Sequence, residues 1–293
     1  MNIHYIYLDT NLWNRLLDQH ASPKGLLEKL RLRGNSLALS KQTVHELAKT
    51  FESDPGRGRA LFQYVKQCLD VGIGVAIDVM EQLHLEVDAL NSRNSTVGAF
   101  LGGSDFDSFK KIIDKLATGI LDEEARLSVE AGVCFAKSAR AGQNAHFDDK
   151  QNVKRRLQQI SCAHLESWMQ EELSTNRGTA ILARHLLRMY VEGLDDPSAG
   201  RLAHSLLRIP IGIAARGLVR AELYANWRCA LRHSLRSDVI DDMYHVLNAS
   251  YCGTYATAEP KQAEYTSHLL PAQTQVAIYA DRGPIDAWLL TCQ

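Results

Sequence analysis

Apolar and polar positions divide the chain into two ends, where short apolar runs alternate with helical stripes, and a middle where only helical stripes recur. The first run, Ile3-His4-Tyr5-Ile6-Tyr7-Leu8, is β-prone and nearly continuous in apolar character. That pattern belongs to a strand buried on both faces of a parallel sheet. Asp9-Thr10-Asn11 follows; Thr10 or Asn11 can cap a helix to about Gln19, with Leu12, Leu16 and Leu17 on one stripe. A second helix is predicted from Lys24 to Arg33, a second strand at Ser36–Leu39, and a helix capped by Ser40 with Val44, Leu47, Ala48 and Phe51 at helical spacing. Glu46 lies off that stripe and faces either solvent or a cleft lip. After the break Asp54-Pro55-Gly56, a helix over about Arg59–Asp70 leads to a third strand within Gly72–Ile77.

From about residue 80 to 235 the periodicity is helical throughout. Stripes run through Phe109, Ile112, Ile113, Leu116 and Ile120, through Val153, Leu157, Ile160, His164, Trp168 and Met169, and through Ile181, Leu182, His185, Leu186, Met189 and Tyr190. Loops are expected at Asn91–Asp107, Ala139–Gln151 and Asp195–Gly200. Strand character returns in Gly253–Thr257 and Thr274–Tyr279, after a helix opened by Ser237 and separated by another following Ala258-Glu259-Pro260. Neither end has enough strands for a stable sheet alone. The expected architecture is therefore one α/β domain in two parts, 1–78 and 237–293, interrupted by a helical insertion or subdomain at 79–236.

Composition narrows the class without naming it. A formal net charge of −1 leaves room for a nucleic-acid surface only as a local patch. The six cysteines (68, 134, 162, 229, 252 and 292) form no CxxC pair and read as reduced thiols. The start has no basic segment followed by a long apolar one, and no apolar run approaches the ~20 residues of a membrane span. A soluble, cytoplasmic protein without a membrane partner is expected.

The chemistry-bearing residues are acids placed where strands end or helices begin. Asp9 follows the first strand, at the carboxyl edge where open α/β sheets place their ligands. Glu46 sits in the helix after the second strand; Asp238, Asp241 and Asp242 crowd the first turn of a late helix; Glu259 stands just past the strand ending at Thr257. Carboxylates gathered at one edge repel and call for a cation, and hard oxygen donors select Mg²⁺ or Mn²⁺. Each acid also has a plainer role, as a helix cap, a helix-dipole partner or a solvated face.

Three stretches, YIYLDTN, LALSKQTVHEL and DDMYHVLNASYCGTYATAE, resemble the PIN-domain family of metal-dependent nucleases, which includes ribonuclease toxins of bacterial toxin–antitoxin pairs. The resemblance covers about 1–78 and 237–293. It implies a PIN-like parallel sheet flanked by helices, and metal acids Asp9, Glu46, Asp242 (or Asp241) and Glu259, with Thr10 or Asn11 and Thr257 as small polar neighbours. It further implies a Mg²⁺- or Mn²⁺-dependent phosphodiesterase acting through a metal-activated water, an endoribonuclease in preference to a deoxyribonuclease. Two features depart from the family: a Glu at the last acid, where Asp is usual, and the long helical block. An aspartyl-nucleophile phosphatase would need a second acid where Asn11 stands. The non-enzymatic alternative is a degenerate PIN-like scaffold whose helical block binds a protein or nucleic acid; a homo-oligomer is compatible with either.

Arg216, Arg220, Arg228, Arg232 and Arg236 recur on a four-residue rhythm with Tyr224, beside Trp227, and run into the helix bearing Asp242. Successive members turn by about 40°, so the column winds partly round its helix. It is either a nucleic-acid-binding face or a solvated one with intrahelical ion pairs. Lys154-Arg155-Arg156 reads as surface, as does His84-x-Glu86-x-Asp88, whose alternate residues diverge by about 200° on a helix.

Overall fold

The structure, a computed structural model, describes residues 3–119, 123, 151–190, 194–232 and 237–292. Strand β1 (His4–Leu8) leads to helices α1 (Thr10–Asp18) and α2 (Pro23–Leu32), then β2 (Asn35–Ser40). Helices α3 (Lys41–Ala48), α4 (Thr50–Ser53) and α5 (Pro55–Val71) precede β3 (Gly74–Ala76). The helical block holds α6 (Val79–Asn91), α7 (Gly103–Thr118), α8 (Gln151–Gln158), α9 (Cys162–Leu173), α10 (Asn176–Met189), α11 (Asp196–Arg208) and α12 (Ile213–Arg232). The chain closes with α13 (Ser237–Leu247), β4 (Thr254–Thr257), α14 (Pro260–Leu269), β5 (Gln275–Ile278) and α15 (Ile285–Leu289).

The five strands form one all-parallel sheet in the order β3-β2-β1-β4-β5. The fold class is therefore the expected α/β one. Chain order runs outward from β1 in both directions, so β1 and β4 flank the point where strand order reverses, the place beyond whose carboxyl ends open α/β sheets form their ligand crevice. Gly253 lets β4 start close to β1: a Cβ there would lie 2.1 Å from the ring of His4, whose Nε2 meets Thr254 Oγ1 at 2.8 Å.

Alternation along the strands feeds two cores. Ile6, Leu8, Leu37, Leu39, Val75 and Ala256 face one side, covered by α1, α2, α5, α7 and α15. Tyr7, Ala38, Ala76 and Tyr255 face the other, under α6 and α9 to α14. Among the described residues, the helical block thus shows no core cluster separate from those of the sheet. Its helix α7 joins the first face, and most of the rest continues the second.

Local sequence explains most element boundaries. Ser40 and Thr43 close a reciprocal capping box on α3, and Gly72 ends α5 in the left-handed region at φ 97°. The loop expected at Asp195–Gly200 is instead the start of α11: Asp195 accepts from Ser198 N–H at 2.8 Å, and Pro197 falls in the first turn. Helix α7 likewise begins inside the expected Asn91–Asp107 loop, and the stripe from Val153 to Met169 is divided between α8 and α9. The loop expected from Ala139 lies outside the described residues, as does Cys134.

Glu86 corrects the expectation of a polar surface at His84–Asp88. His84 and Asp88 are exposed, but Glu86 is 0% exposed. It accepts from Ala214 N–H at 2.5 Å, from Ala215 N–H at 3.0 Å and from the Tyr251 hydroxyl. The carboxyl group therefore satisfies orphan donors at the N-terminus of α12 and ties α6 to the chain just before β4. Burial pushes its pKa up to about 7, against the pull of Tyr251 and the two backbone donors. No single described helix is long and apolar enough to cross a membrane.

Truncating Glu86 to Ala leaves the two buried N–H groups of Ala214 and Ala215 without their acceptor, and equilibrium denaturation should show a loss of about 3 kcal/mol. The folded-state pKa lies above the unfolded value of 4.5. Its contribution is therefore complete below that value and is lost as pH rises toward 7. The stability of wild type relative to Glu86→Gln should improve by about 2–3 kcal/mol as pH falls across this window.

Candidate metal centre

Four of the expected acids meet over the crevice between β1 and β4. Asp9 follows β1 directly and is 3% exposed. It caps α1 itself, in place of the expected Thr10 or Asn11: Oδ1 accepts from Thr10 N–H at 2.8 Å. Its Oδ2 lies 3.1 Å from the Thr257 hydroxyl at the end of β4. Capping and membership of an acidic cluster are both true of this residue.

The small polar residues each hold an acid. The Thr10 hydroxyl donates to Glu46 Oε2, and the Asn11 amide donates to Glu259 Oε1. Thr257 Oγ1 sits between Asp9 and Gln262 Oε1, 2.7 Å away, and receives the Glu259 N–H at 3.0 Å. Sequence order explains how: β1, β2 and β4 are adjacent and parallel, so residues just past their carboxyl ends share one edge. Glu46 reaches that edge from the second turn of α3, which Ser40 starts.

Electrostatics reports the crowding. Burial raises the Asp9 pKa above the ordinary carboxylate value, Glu46 and Glu259 raise it further, and His245 and Thr257 oppose them. Asp242 on α13 is pushed up to about 7 by burial and then by Glu46, with the Tyr265 hydroxyl and His245 pulling the other way. Asp242 therefore belongs to the same constellation. The side chains of Asp238 and Asp241, on the same helix, lie outside the described residues, so the alternative at Asp241 is not placed.

His245 is the residue that sequence reasoning passed over. It stands one turn after Asp242 and is 1% exposed. Its Nε2 lies 3.6 Å from Asp9 Oδ1, and its Nδ1 lies 3.9 Å from Glu46 Oε1. Both distances exceed hydrogen-bonding range, and neither ring nitrogen has a hydrogen-bond partner among the described residues. One ligand atom each from Asp9, Glu46 and His245 falls within 4.8 Å of the others. The signal was present in Asp242-x-x-His245, since residues three apart share a helix face.

The residues present fit a divalent cation. They supply carboxylate oxygens whose mutual repulsion a cation would relieve, and a buried imidazole whose nitrogens lack partners. Concavity alone would point elsewhere. A cleft of about 630 Å³ beside α3, lined by Lys41, His45, His84, Leu101 and Phe109 among others, contains none of the four acids.

The described arginines of the column, Arg216, Arg220 and Arg228, do not form the expected open face. Arg216 donates to the Ile209 and Pro210 carbonyls at 2.6 and 2.9 Å, fastening the turn before its own helix. Arg220 is 9% exposed, pairs with Glu166 at 2.6 Å and donates to the His268 carbonyl. Arg228 is half-buried over the ring of Tyr224, which is itself buried, as is Trp227. The Arg232 side chain and Arg236 lie outside the described residues. The reason is that α12 carries apolar residues all round and runs through the core, so its cations are consumed internally. Glu222 on the same helix pairs with Arg184 and His185 on α10.

No protein-family model, no curated protein and no solved structure matches the chain.

A crowded acid site should cost stability when no cation is present. The folded pKa of Asp242 lies above its ordinary value of 3.8, so ionising it weakens the fold as pH rises toward about 7. In EDTA at pH 8, Asp242→Asn should be more stable than wild type by about 1–2 kcal/mol, the difference vanishing below pH 4. A purely structural helix-opening acid would give the opposite sign in the same melts.

Proposed function

We propose that the protein is a divalent-cation-dependent nuclease that hydrolyses phosphodiester bonds at the edge formed by Asp9, Glu46, Asp242 and Glu259. One observation carries the reading: acids from four separate segments converge where strand order reverses, and three of them are each held by a neighbouring polar side chain. The resemblance to PIN-domain nucleases supports RNA in preference to DNA as substrate, and Mg²⁺ or Mn²⁺ as cofactor.

A bound cation supplies Lewis-acid polarisation of the phosphoryl oxygen and makes a water more acidic. Asp9 would be the principal ligand, held by the α1 backbone and by Thr257. Asp242 and Glu259 would complete the negative side of the site, with Asn11 fixing the reach of the longer Glu259. Thr10 occupies Glu46 Oε2, and Glu46 would join Asp9 in holding the cation. Burial of Asp9 keeps its charge in a medium where it acts strongly. The arginines of α12 are not part of this assignment. Nucleic acid is the proposed partner, met at the mouth of the crevice.

The test is incubation of labelled single-stranded RNA and DNA with the full chain, in Mn²⁺ or in EDTA, beside Asp9→Asn. Cleavage should require metal and fall at least about 100-fold in Asp9→Asn, an effect of the size expected when a group stabilising transition-state charge is lost. Glu259→Gln should fall less, because Asn11 still positions the side chain. Absence of metal-dependent cleavage of either polymer would sink the proposal, and melts of wild type unmoved by Mn²⁺ would leave the scaffold alternative.

A further inference from the structure

We propose that His245 supplies a nitrogen ligand to the cation at this site, so that the site prefers transition ions of the Mn²⁺-to-Zn²⁺ series over Mg²⁺. The inference rests on the reading of Asp9 and Glu46 as metal ligands, and extends it to a residue type that an all-carboxylate site lacks.

The ring of His245 is held by packing rather than by polar bonds. It meets Tyr7 edge-on at 5.2 Å between centroids and Tyr255 edge-on at 6.5 Å. Tyr7 is itself locked, its hydroxyl 2.6 Å from Ser40 Oγ and 3.2 Å from Thr43 Oγ1. This packing fixes the plane of the imidazole and turns its nitrogen edge toward the two acids. An imidazole buried with both nitrogens unpaired carries the desolvation cost of a polar group without compensation. Histidines buried for structural reasons normally donate one ring N–H to a carbonyl or carboxylate at hydrogen-bonding distance. Here the nearest carboxylate oxygens stop at 3.6 and 3.9 Å, too far for that bond.

A cation resolves the mismatch. Ligand atoms on opposite sides of an ion with bonds of about 2.1 Å lie about 4.2 Å apart, and those at right angles lie about 3 Å apart. The three donors already fall within 4.8 Å of one another, so shifts of a few tenths of an ångström bring them onto one ion. Donor chemistry then sets the preference. Carboxylate and water suit Mg²⁺, whereas imidazole adds a borderline ligand that favours later divalent ions. Mg²⁺ also keeps most of its water and gains least from a buried nitrogen.

The experiment reads binding directly. Full-length protein stripped with EDTA is titrated by calorimetry with Mg²⁺, Mn²⁺ and Zn²⁺ separately, and the Mn²⁺-loaded protein is examined by pulsed EPR for coupling to ¹⁴N. Wild type should bind Mn²⁺ and Zn²⁺ at least about tenfold more tightly than Mg²⁺ and show the ¹⁴N coupling. His245→Gln, which offers an amide oxygen, should lose about 10- to 100-fold in Mn²⁺ and Zn²⁺ affinity, keep Mg²⁺ affinity within about twofold, and lose the coupling. His245→Phe preserves packing against Tyr7 and Tyr255 and should behave likewise for Mn²⁺ and Zn²⁺. The EPR measurement on wild type needs no variant to fold. Absence of ¹⁴N coupling in Mn²⁺-loaded wild type, or equal affinity for Mg²⁺ and Mn²⁺, overturns the inference. Cleavage in Mg²⁺ would then still uphold the nuclease reading. Conversely, metal bound through His245 with no polymer cut upholds the inference and removes the nuclease.

Discussion

An all-parallel sheet has no face to spare for water, and the rest of the molecule follows from that constraint. The strands are only three to six residues long, and four of the five are largely buried. Each face must be roofed by helices. The roof on the Tyr7 side is drawn largely from the helical block, which makes that block a structural necessity as well as an addition to the sheet. Glu86 is the point where the roof is fastened, because it ends the run of unpaired N–H groups at the start of the long core helix α12. A single carboxyl group thereby links three remote stretches of chain.

The same sheet creates the opposing tension. Strand ends that converge bring acids together in a region where burial already disfavours their ionised forms. The fold tolerates this because neighbours are assigned one to one: Thr10 to Glu46, Asn11 to Glu259, Thr257 to Asp9. Such local stabilisation holds geometry without removing charge. Stability is given up at the place where the proposed chemistry would use the field.

Legibility in the sequence tracked the range of the interactions involved. β1 could be read from its own residues, as could the Ser40 cap and the placement of Asp9 and Glu259 after strands, since each depends on a few neighbours in the chain. Glu86 could not, because its burial is decided by Ala214 and Ala215, 128 and 129 residues away. The arginines of α12 misled for a related reason. A four-residue rhythm describes one face of a helix, but whether that face meets water depends on which other helices surround it. His245 was present as a spacing relative to Asp242, and only the packing of Tyr7 and Tyr255 reveals where its nitrogens point.

The pairing of β1 with β4 has a consequence for when the site exists. Asn11 and Glu259 are 248 positions apart in the chain yet touch across the crevice. On a ribosome adding roughly 5–20 residues per second, that gap is on the order of tens of seconds. For most of it, Asp9 lacks His245, Thr257 and Glu259, and β1 lacks β4 as its second sheet neighbour. A growing chain therefore carries Asp9 through most of its synthesis while the other half of the acidic edge has yet to be made. The site is among the last parts of the molecule to be completed, a delay written into strand order alone.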